Sequence, residues 1–166
     1  MKKLSKIVAL LLAGAMAMLM FTACSGGGGG SENKDAEEKV MSQIRSKSTS
    51  AASLQNDRDL QKVAAAHLNE DLKGGIRIFG HKLIGKVHIE GEDKEYLTIT
   101  VTANYTYSDT LLSTILTEIS KKVSTDANVD IQQSGNWSKV GVVVQTSNTK
   151  SYVGIAFQIR NPNPKK

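Results

Sequence analysis

Apolar and polar residues follow two different periods along this chain, and each period predicts a type of element. Over residues 57–73, apolar side chains recur every three or four positions, as they do on one face of a helix. Over residues 96–103 they alternate with Thr98, Thr100 and Thr102, the period of a strand with one buried side and one solvent-facing side. The chain therefore predicts both helices and an antiparallel sheet.

The same two periods predict the remaining elements of one α+β domain. Helical spacing predicts further helices over residues 36–47 and 109–122. Apolar runs predict four further strands: residues 76–79, 82–89, 139–146 and 152–160. Asn56 is predicted to cap the helix that follows it, because its side chain can accept a hydrogen bond from the first helical turn. The nearly unbroken valines between positions 140 and 144 predict a central strand covered on both faces.

The first 24 residues carry the pattern of a bacterial export signal. Three lysines precede an apolar stretch over residues 7–20, and Thr22 and Ala23 supply the small residues that a signal peptidase needs before its cut. The ending Phe21-Thr22-Ala23-Cys24 resembles the lipobox of bacterial lipoproteins, with Phe21 in place of the usual aliphatic residue. That resemblance implies cleavage after residue 23 and a diacylglyceryl thioether on Cys24.

The length of the apolar stretch favours removal of residues 1–23, because it is shorter than the roughly 20 residues that a membrane-spanning helix requires. A transmembrane anchor, and a secretory signal beside which Cys24 is incidental, are the alternatives. Residues 24–35 are rich in glycine and carry nothing apolar after Cys24, which predicts a flexible tether. Residues 36–166 then form the single folded domain.

The net charge of the chain is partly a property of its signal sequence. Removing the first 23 residues removes three lysines and leaves 18 basic residues against 16 acidic ones. So small an excess does not indicate a nucleic-acid partner. Cys24 is the only cysteine, so a lipid on its sulfur leaves no thiol for a disulfide, a metal site or a nucleophile.

Four segments carry a resemblance to a known family. The first is the helix-forming block 54–72, and the second is Phe79-Gly80-His81. The third is residues 103–109, and the fourth is the closing pair of strands over residues 137–157. In this order they resemble the CAP superfamily of cysteine-rich secretory and pathogenesis-related proteins. The resemblance implies a three-layer α-β-α sandwich around a mainly antiparallel sheet, and extracellular roles such as cell-wall association or lipid binding.

The cleft residues of that family are mostly absent from this chain. Family members often carry two histidines and two acids that hold a divalent metal, and only His81 stands where the first histidine would be. Thr98-Ile99-Thr100 occupies the position of the family's Gly-Glu-Asn motif, and residues 126–129 lack the second histidine. Glu118 remains as an acid on the third predicted helix. The resemblance therefore implies the fold without its chemistry, so we expect no metal, no cofactor and no enzymatic activity.

Two further groups of side chains are weaker candidates for a site. His67, His81 and His88 could hold zinc together with Glu90, which shares a strand face with His88. His67 lies on the apolar stripe of its helix, however, where a hydrogen-bonded core histidine is the commoner situation. Aromatic side chains could instead line a binding groove, and those concerned are Tyr96, Tyr105, Tyr107, Trp137 and Tyr152.

Together these observations predict a bacterial surface lipoprotein whose non-catalytic domain binds or supports a component of the cell envelope. Its lipid would hold it on the outer face of the cytoplasmic membrane, or on the outer membrane where the cell has one. A cell-wall glycan, a lipid and a surface protein are the candidate partners. The alternative is a CAP-type extracellular hydrolase in which His81 and Glu118 act with partners elsewhere in the chain. A different α+β lipoprotein fold is the third possibility.

Overall fold

The computed structural model describes residues 31–74, 84–106, 110–123, 129–147 and 149–164. Their elements in chain order are β1 (Ser31–Glu32), α1 (Lys34–Arg45), α2 (Thr49–Ala52), α3 (Arg58–Lys73), β2 (Ile84–Glu90), β3 (Tyr96–Asn104), α4 (Leu111–Lys122), a 3₁₀ turn (Ser134–Asn136), β4 (Trp137–Ser147) and β5 (Lys150–Arg160). The three predicted helices correspond to α1, α3 and α4, and four of the five predicted strands correspond to β2 through β5. The fifth, over residues 76–79, lies outside the described residues.

The strands of the described residues join one antiparallel sheet in the order β1-β4-β5-β3-β2. In its middle, Tyr96 of β3 pairs with Arg160 of β5 at one end, and Asn104 pairs with Tyr152 at the other. β1 is only two residues long and pairs with the end of β4. The prediction of an α+β domain with an antiparallel sheet is confirmed.

Two separate apolar clusters pack on alternating residues of the central strands. The larger cluster joins α1 and α4 to residues such as Val142 of β4 and Ile155 of β5. The smaller cluster joins Leu60, Ala64 and Leu68 of α3 to the intervening residues Val143 and Ala156. Successive side chains of a strand point to opposite sides of its sheet. The run of valines is therefore apolar because β4 is covered on both faces, as its sequence predicts.

Two glycines let α3 lie directly against the sheet. A Cβ atom on Gly141 of β4 would stand 2.4 Å from the backbone of Leu60 and Gln61, closer than two such atoms can approach. A Cβ atom on Gly154 of β5 would stand 2.8 Å from the carbonyl oxygen of Ala64. Any larger residue at these two positions would push α3 away from the strands. The helix therefore crosses the sheet along a path that the two glycines set.

The position of α3 corrects the prediction that β3 has a solvent-facing side. Thr100 and Thr102 are fully buried, and Thr98 is half-buried. Threonine is common in strands whether or not they are wet, because its branched side chain suits the pleated backbone. The alternation of residue types identified the strand correctly, but it could not show that a helix lies over the polar side.

The outer edge of β4 is closed by side chains over most of its length. The side chain of Asn56 donates to the carbonyl of Val142 at 3.1 Å and accepts from the N–H of the same residue at 2.8 Å. Gln61 of α3 donates a second bond to that carbonyl, at 3.0 Å. Asn56 is thus used by the sheet, and Asp57 caps α3 instead by accepting from two N–H groups of the first turn. The prediction that Asn56 caps this helix is wrong.

The next stretch of the same edge is closed by the segment that leads into α1. The buried carboxylate of Glu37 accepts from the N–H of Val144 at 3.1 Å, and the N–H of Asn33 donates to the carbonyl of Val144 at 2.9 Å. These contacts leave β4 few free backbone groups with which to pair another chain. They also place Ser31 in the sheet, so residues 31–35 belong to the folded part of the chain and not to the predicted tether.

We expect Gly141→Ala to destabilise the protein by about 1–3 kcal/mol or more, because the added methyl group overlaps the backbone of α3. The measurement is a urea melt of residues 24–166 carrying Cys24→Ser. Gly135→Ala is the matched control, since a Cβ atom there meets nothing within 4 Å, and we expect it to change the free energy of unfolding by less than about 0.5 kcal/mol. Equal effects of the two substitutions would contradict the close packing of α3.

We expect Asn56→Ala to cost about 1–3 kcal/mol, because it leaves the N–H of the buried Val142 without a hydrogen-bond partner. Gln55→Ala, at the exposed neighbouring position, is the control and should be close to neutral. Asn56→Asp keeps the acceptor for this N–H but loses the donor to the carbonyl. The unfolding free energy of Asn56→Asp should therefore lie between those of Asn56→Ala and the parent. A neutral Asn56→Ala would show that water replaces the side chain at this edge.

Candidate functional site

The most unusual polar group of the fold is the carboxylate of Asp71, which lies near the end of α3 and has no solvent exposure. His88 of β2 contacts its Oδ2 at 3.0 Å through Nε2, and the hydroxyl of Thr102 donates to the same oxygen. Lys86 Nζ lies 3.0 Å from Oδ1, but at an angle that does not make a hydrogen bond. We call these four residues the Asp71 cluster. It holds a buried negative charge between the ammonium group of Lys86, the imidazole ring of His88 and the hydroxyl of Thr102.

An irregularity in β2 contributes to this cluster. The register of β2 against β3 shifts between Ile84 and Val87, which takes the N–H of Lys86 out of the regular ladder. That N–H donates to the hydroxyl oxygen of Thr102 at 3.1 Å, and the same hydroxyl donates onward to Asp71. The bulge therefore fixes the direction in which Thr102 donates its proton.

The contacts of Asp71 keep it ionised. Burial raises the pKa of its carboxyl, but the hydrogen bonds from His88 and Thr102 and the neighbouring ammonium group of Lys86 outweigh burial and hold the pKa below its ordinary value. Because an ionised carboxylate only accepts hydrogen bonds, Nε2 of His88 must carry the proton that lies between them. The carboxylate of Asp71 in turn raises the pKa of Lys86.

A second histidine connects this cluster to the protein surface. The ring of His67, one turn before Asp71 on α3, stacks on the ring of His88 with centroids 4.0 Å apart and planes inclined by 22°. Its Nε2 lies 3.5 Å from Oε1 of Glu90, whereas its buried Nδ1 has no hydrogen-bond partner. The side chain of Glu90 is about half exposed. A continuous row of ionisable groups thus runs from buried Asp71 to the surface carboxylate of Glu90.

Glu90 stands on the rim of an open depression with a volume of about 510 Å³. The depression lies beside the turn between β2 and β3, and we refer to it below simply as the depression. Its lining residues are Glu90, Gly91, Lys94, Glu95, Tyr96, Thr98 and Gln158. Its size falls within the range of small-molecule sites, but its lining is more polar than usual for them. The arrangement suits a polar ligand held by hydrogen bonds.

Of the two residues that the sequence suggested for catalysis, His81 and Glu118, the structure describes only Glu118. Glu118 lies on α4 and pairs with Lys121 of the same helix. His81 lies outside the described residues, as does Cys24. Asp71 is inaccessible and cannot touch a substrate. The Asp71 cluster therefore positions other groups, and Glu90 is the part of the row that a ligand could reach.

Among the side chains suggested for an aromatic groove are Tyr105, Tyr107 and Trp137, and the two of these that the structure describes, Tyr105 and Trp137, pack in or against the larger apolar cluster. Trp137 is only 5% exposed; its indole N–H donates to the carbonyl of Ile131 at 2.9 Å, and its ring packs against Phe157. Tyr105 is partly buried against the larger apolar cluster. Tyr107 lies outside the described residues, so a groove formed by these three side chains stays a prediction. Trp137 itself packs in the hydrophobic core.

The suggested zinc site is likewise only partly assembled. The structure brings His67, His88 and Glu90 together, but stacked imidazole rings direct their nitrogen lone pairs along parallel planes and not toward one point. Among the residues that the structure describes, no group of three or more His, Cys, Asp or Glu side chains is arranged to hold a metal ion. His81, the remaining suggested ligand, lies outside them.

Sequence reasoning missed Asp71, Lys86 and Thr102 as partners of the two histidines. A signal for them does exist, since His67 and Asp71 are four residues apart on one helix face and Lys86, His88 and Glu90 alternate along one strand face. What the sequence lacks is the information that these two faces meet. That depends on the path of α3 across the sheet.

We expect Asp71→Asn to destabilise the protein at pH 7 by about 1–3 kcal/mol, because it removes the charge partner of Lys86 and His88. It should also flatten the acid side of the stability profile. The folded-state pKa of Asp71 lies below its unfolded-state value, so its stabilisation is complete above the unfolded pKa and is lost as the pH falls through the folded pKa.

The measurement is a series of urea melts between pH 7 and pH 3 on the parent, on Asp71→Asn and on the control Asp93→Asn, an exposed residue of the β2–β3 turn. The parent and the control should lose stability together below about pH 5, and Asp71→Asn should lose less over the same interval. If Asp71→Asn follows the parent throughout, the ionised state assigned to Asp71 is wrong.

No protein-family model, no curated protein and no solved structure matches this chain. The resemblance to the CAP superfamily therefore rests on the residues quoted above.

Proposed function

We propose that this protein is a bacterial surface lipoprotein whose folded domain is non-catalytic and binds a component of the cell envelope. The observation that carries this proposal is the position of Cys24. Six residues separate it from β1; it directly follows an export-signal pattern and is the only cysteine of the chain. The two acyl chains of a diacylglyceryl group on its sulfur would provide durable membrane attachment.

The point at which the chain enters the sheet gives the anchored domain an orientation. Ser31 pairs with Thr146 of β4, one residue before the end of that strand and beside the hairpin that leads to β5. Six glycine- and serine-rich residues have a root-mean-square reach of about 13 Å. An anchor at Cys24 would therefore hold the hairpin end of the sheet close to the bilayer. None of the helices within the described ranges is long and apolar enough to cross a membrane.

We also propose the three-layer α-β-α arrangement that the CAP resemblance implies. The two apolar clusters support it, because α3 contacts one set of alternating strand residues and the cluster of α1 and α4 contacts the other set. A non-catalytic role is supported by the inaccessibility of Asp71 and by the pairing of Glu118 with Lys121 on α4. A CAP-type hydrolase would instead show stoichiometric zinc by elemental analysis, and would cleave casein or peptidoglycan.

We expect Cys24→Ser to abolish membrane retention, because it removes the sulfur to which the lipid would be attached. The domain should stay folded, because residue 24 lies outside every described element. The measurements are cell fractionation, labelling with radioactive palmitate and the circular dichroism of the recovered protein. Ser25→Ala is the matched control and should remain labelled and membrane-bound. Equal membrane association of Cys24→Ser and the parent would contradict anchoring through a lipid and favour retention of the N-terminal apolar segment.

A further inference from the structure

We propose that the depression is a binding site for a neutral cell-wall polysaccharide containing N-acetylated sugars, with Tyr96 as the platform on which one sugar ring stacks. This inference rests on the proposed function, because anchoring through Cys24 is what turns this part of the molecule toward the cell wall.

The depression lies at the end of the sheet opposite the tether. Tyr96 pairs with Arg160 at the last residue of β5, whereas the tether joins the sheet beside the hairpin where β5 begins. β5 is 11 residues long and spans about 34 Å. In the anchored protein the hairpin end lies near the bilayer, so the depression opens well away from the membrane surface. A polymer outside the membrane can reach it there.

The lining of the depression suits sugar hydroxyl and acetamido groups. Glu90 and Glu95 offer carboxylate acceptors, and Lys94 offers a donor. The amide oxygen of Gln158 already accepts from Ser138 at 3.2 Å, which directs its N–H groups elsewhere as donors. A sugar hydroxyl both donates and accepts, so it can satisfy either kind of partner. An acetamido N–H can donate to a carboxylate in the same way.

Tyr96 supplies the apolar surface that such a ligand also needs. Its side chain is 40% exposed to solvent, whereas the other large apolar side chains of the described residues are at least partly buried. Pyranose rings present a face of C–H bonds that packs on aromatic rings, while their hydroxyls point outward. A tyrosine also keeps a polar tip in contact with water.

Charge and polarity argue against other ligand classes. Two carboxylates and one ammonium group line the depression, which disfavours phosphate-bearing polymers and nucleic acids. The polar lining offers little to an acyl chain, since burying its hydrogen-bonding groups without partners costs free energy. A neutral ligand rich in hydroxyl groups is not repelled by the carboxylates, and it can pair with the polar groups of the lining.

The rim of the depression is held in place before any ligand arrives. Asn161, which is buried, donates through its amide to the carbonyls of Glu92 and Lys94, both at 3.0 Å. Gly91 has a φ of +79°, and a Cβ atom there would stand 2.5 Å from the carbonyl oxygen of Tyr96. The turn that presents Lys94, Glu95 and Tyr96 is therefore fixed by buried contacts. A pre-formed rim lowers the entropic cost of binding.

The test uses the full chain purified in detergent micelles, with fully N-acetylated chitotetraose (chitotetraose below) as the soluble probe in isothermal titration calorimetry and protein-stripped peptidoglycan sacculi in a pelleting assay. We expect saturable binding of chitotetraose and co-sedimentation with the sacculi. Tyr96→Ala should weaken chitotetraose binding by about tenfold or more, and Tyr96→Phe, which keeps the ring, should stay within about threefold of the parent. Lys150→Ala, at the hairpin end of the sheet, is the control and should bind as the parent does.

The inference is overturned if the parent does not bind chitotetraose saturably, or if Tyr96→Ala binds it as tightly as Tyr96→Phe. Sedimentation with sacculi that disappears when their proteins are stripped would indicate a protein partner and would also overturn it. The titration does not depend on the membrane anchor. Loss of binding with Cys24 anchoring intact would thus contradict the glycan site alone, whereas binding without anchoring would contradict the surface-lipoprotein proposal alone.

Discussion

The close contact between α3 and the two glycines of the sheet determines most of what is distinctive in this protein. With Gly141 and Gly154 beneath it, the helix lies directly on β4 and β5 and then continues over β3 toward β2. Its last turns bury threonines that would otherwise face water, and they bring Asp71 and His67 onto the polar side of β2. Beyond the path of the helix, the depression lies at the far end of the sheet.

The closed edge of β4 is a second consequence of how the N-terminal elements pack. Asn56, Gln61 and Glu37 come from segments on either side of the sheet, and each satisfies a backbone group of β4 that a further strand would otherwise pair with. Such an edge protects the domain from self-association, because an open strand is a template for pairing with another chain. The same contacts fix the point at which the chain enters the sheet.

Burying the polar row from Asp71 to Glu90 costs desolvation free energy, and some polar atoms in and beside it have no hydrogen-bond partner. Asp71 is balanced by three partners, whereas His67 Nδ1 and the hydroxyl of Thr100 are buried without any hydrogen bond. An apolar interior of the same shape would avoid that desolvation cost. The row ends at Glu90, whose carboxylate is held against His67 on the rim of the depression. If the depression binds a ligand, these buried residues set the position and charge of one of its walls.

The sequence by itself determined the long helices and strands, because the period of apolar residues depends only on whether local backbone geometry is helical or extended. The α+β class, the helices over α1, α3 and α4 and the strands β2 to β5 all follow from that period, and the lipobox pattern ending at Cys24 is equally local. Only the tertiary structure decided that the threonines of β3 are buried, that Asn56 belongs to the sheet and that Trp137 serves the core. It also decided that His67 and Asp71 meet His88. These outcomes depend on contacts between residues far apart in the chain, and no local period encodes which face of a strand a distant helix will cover.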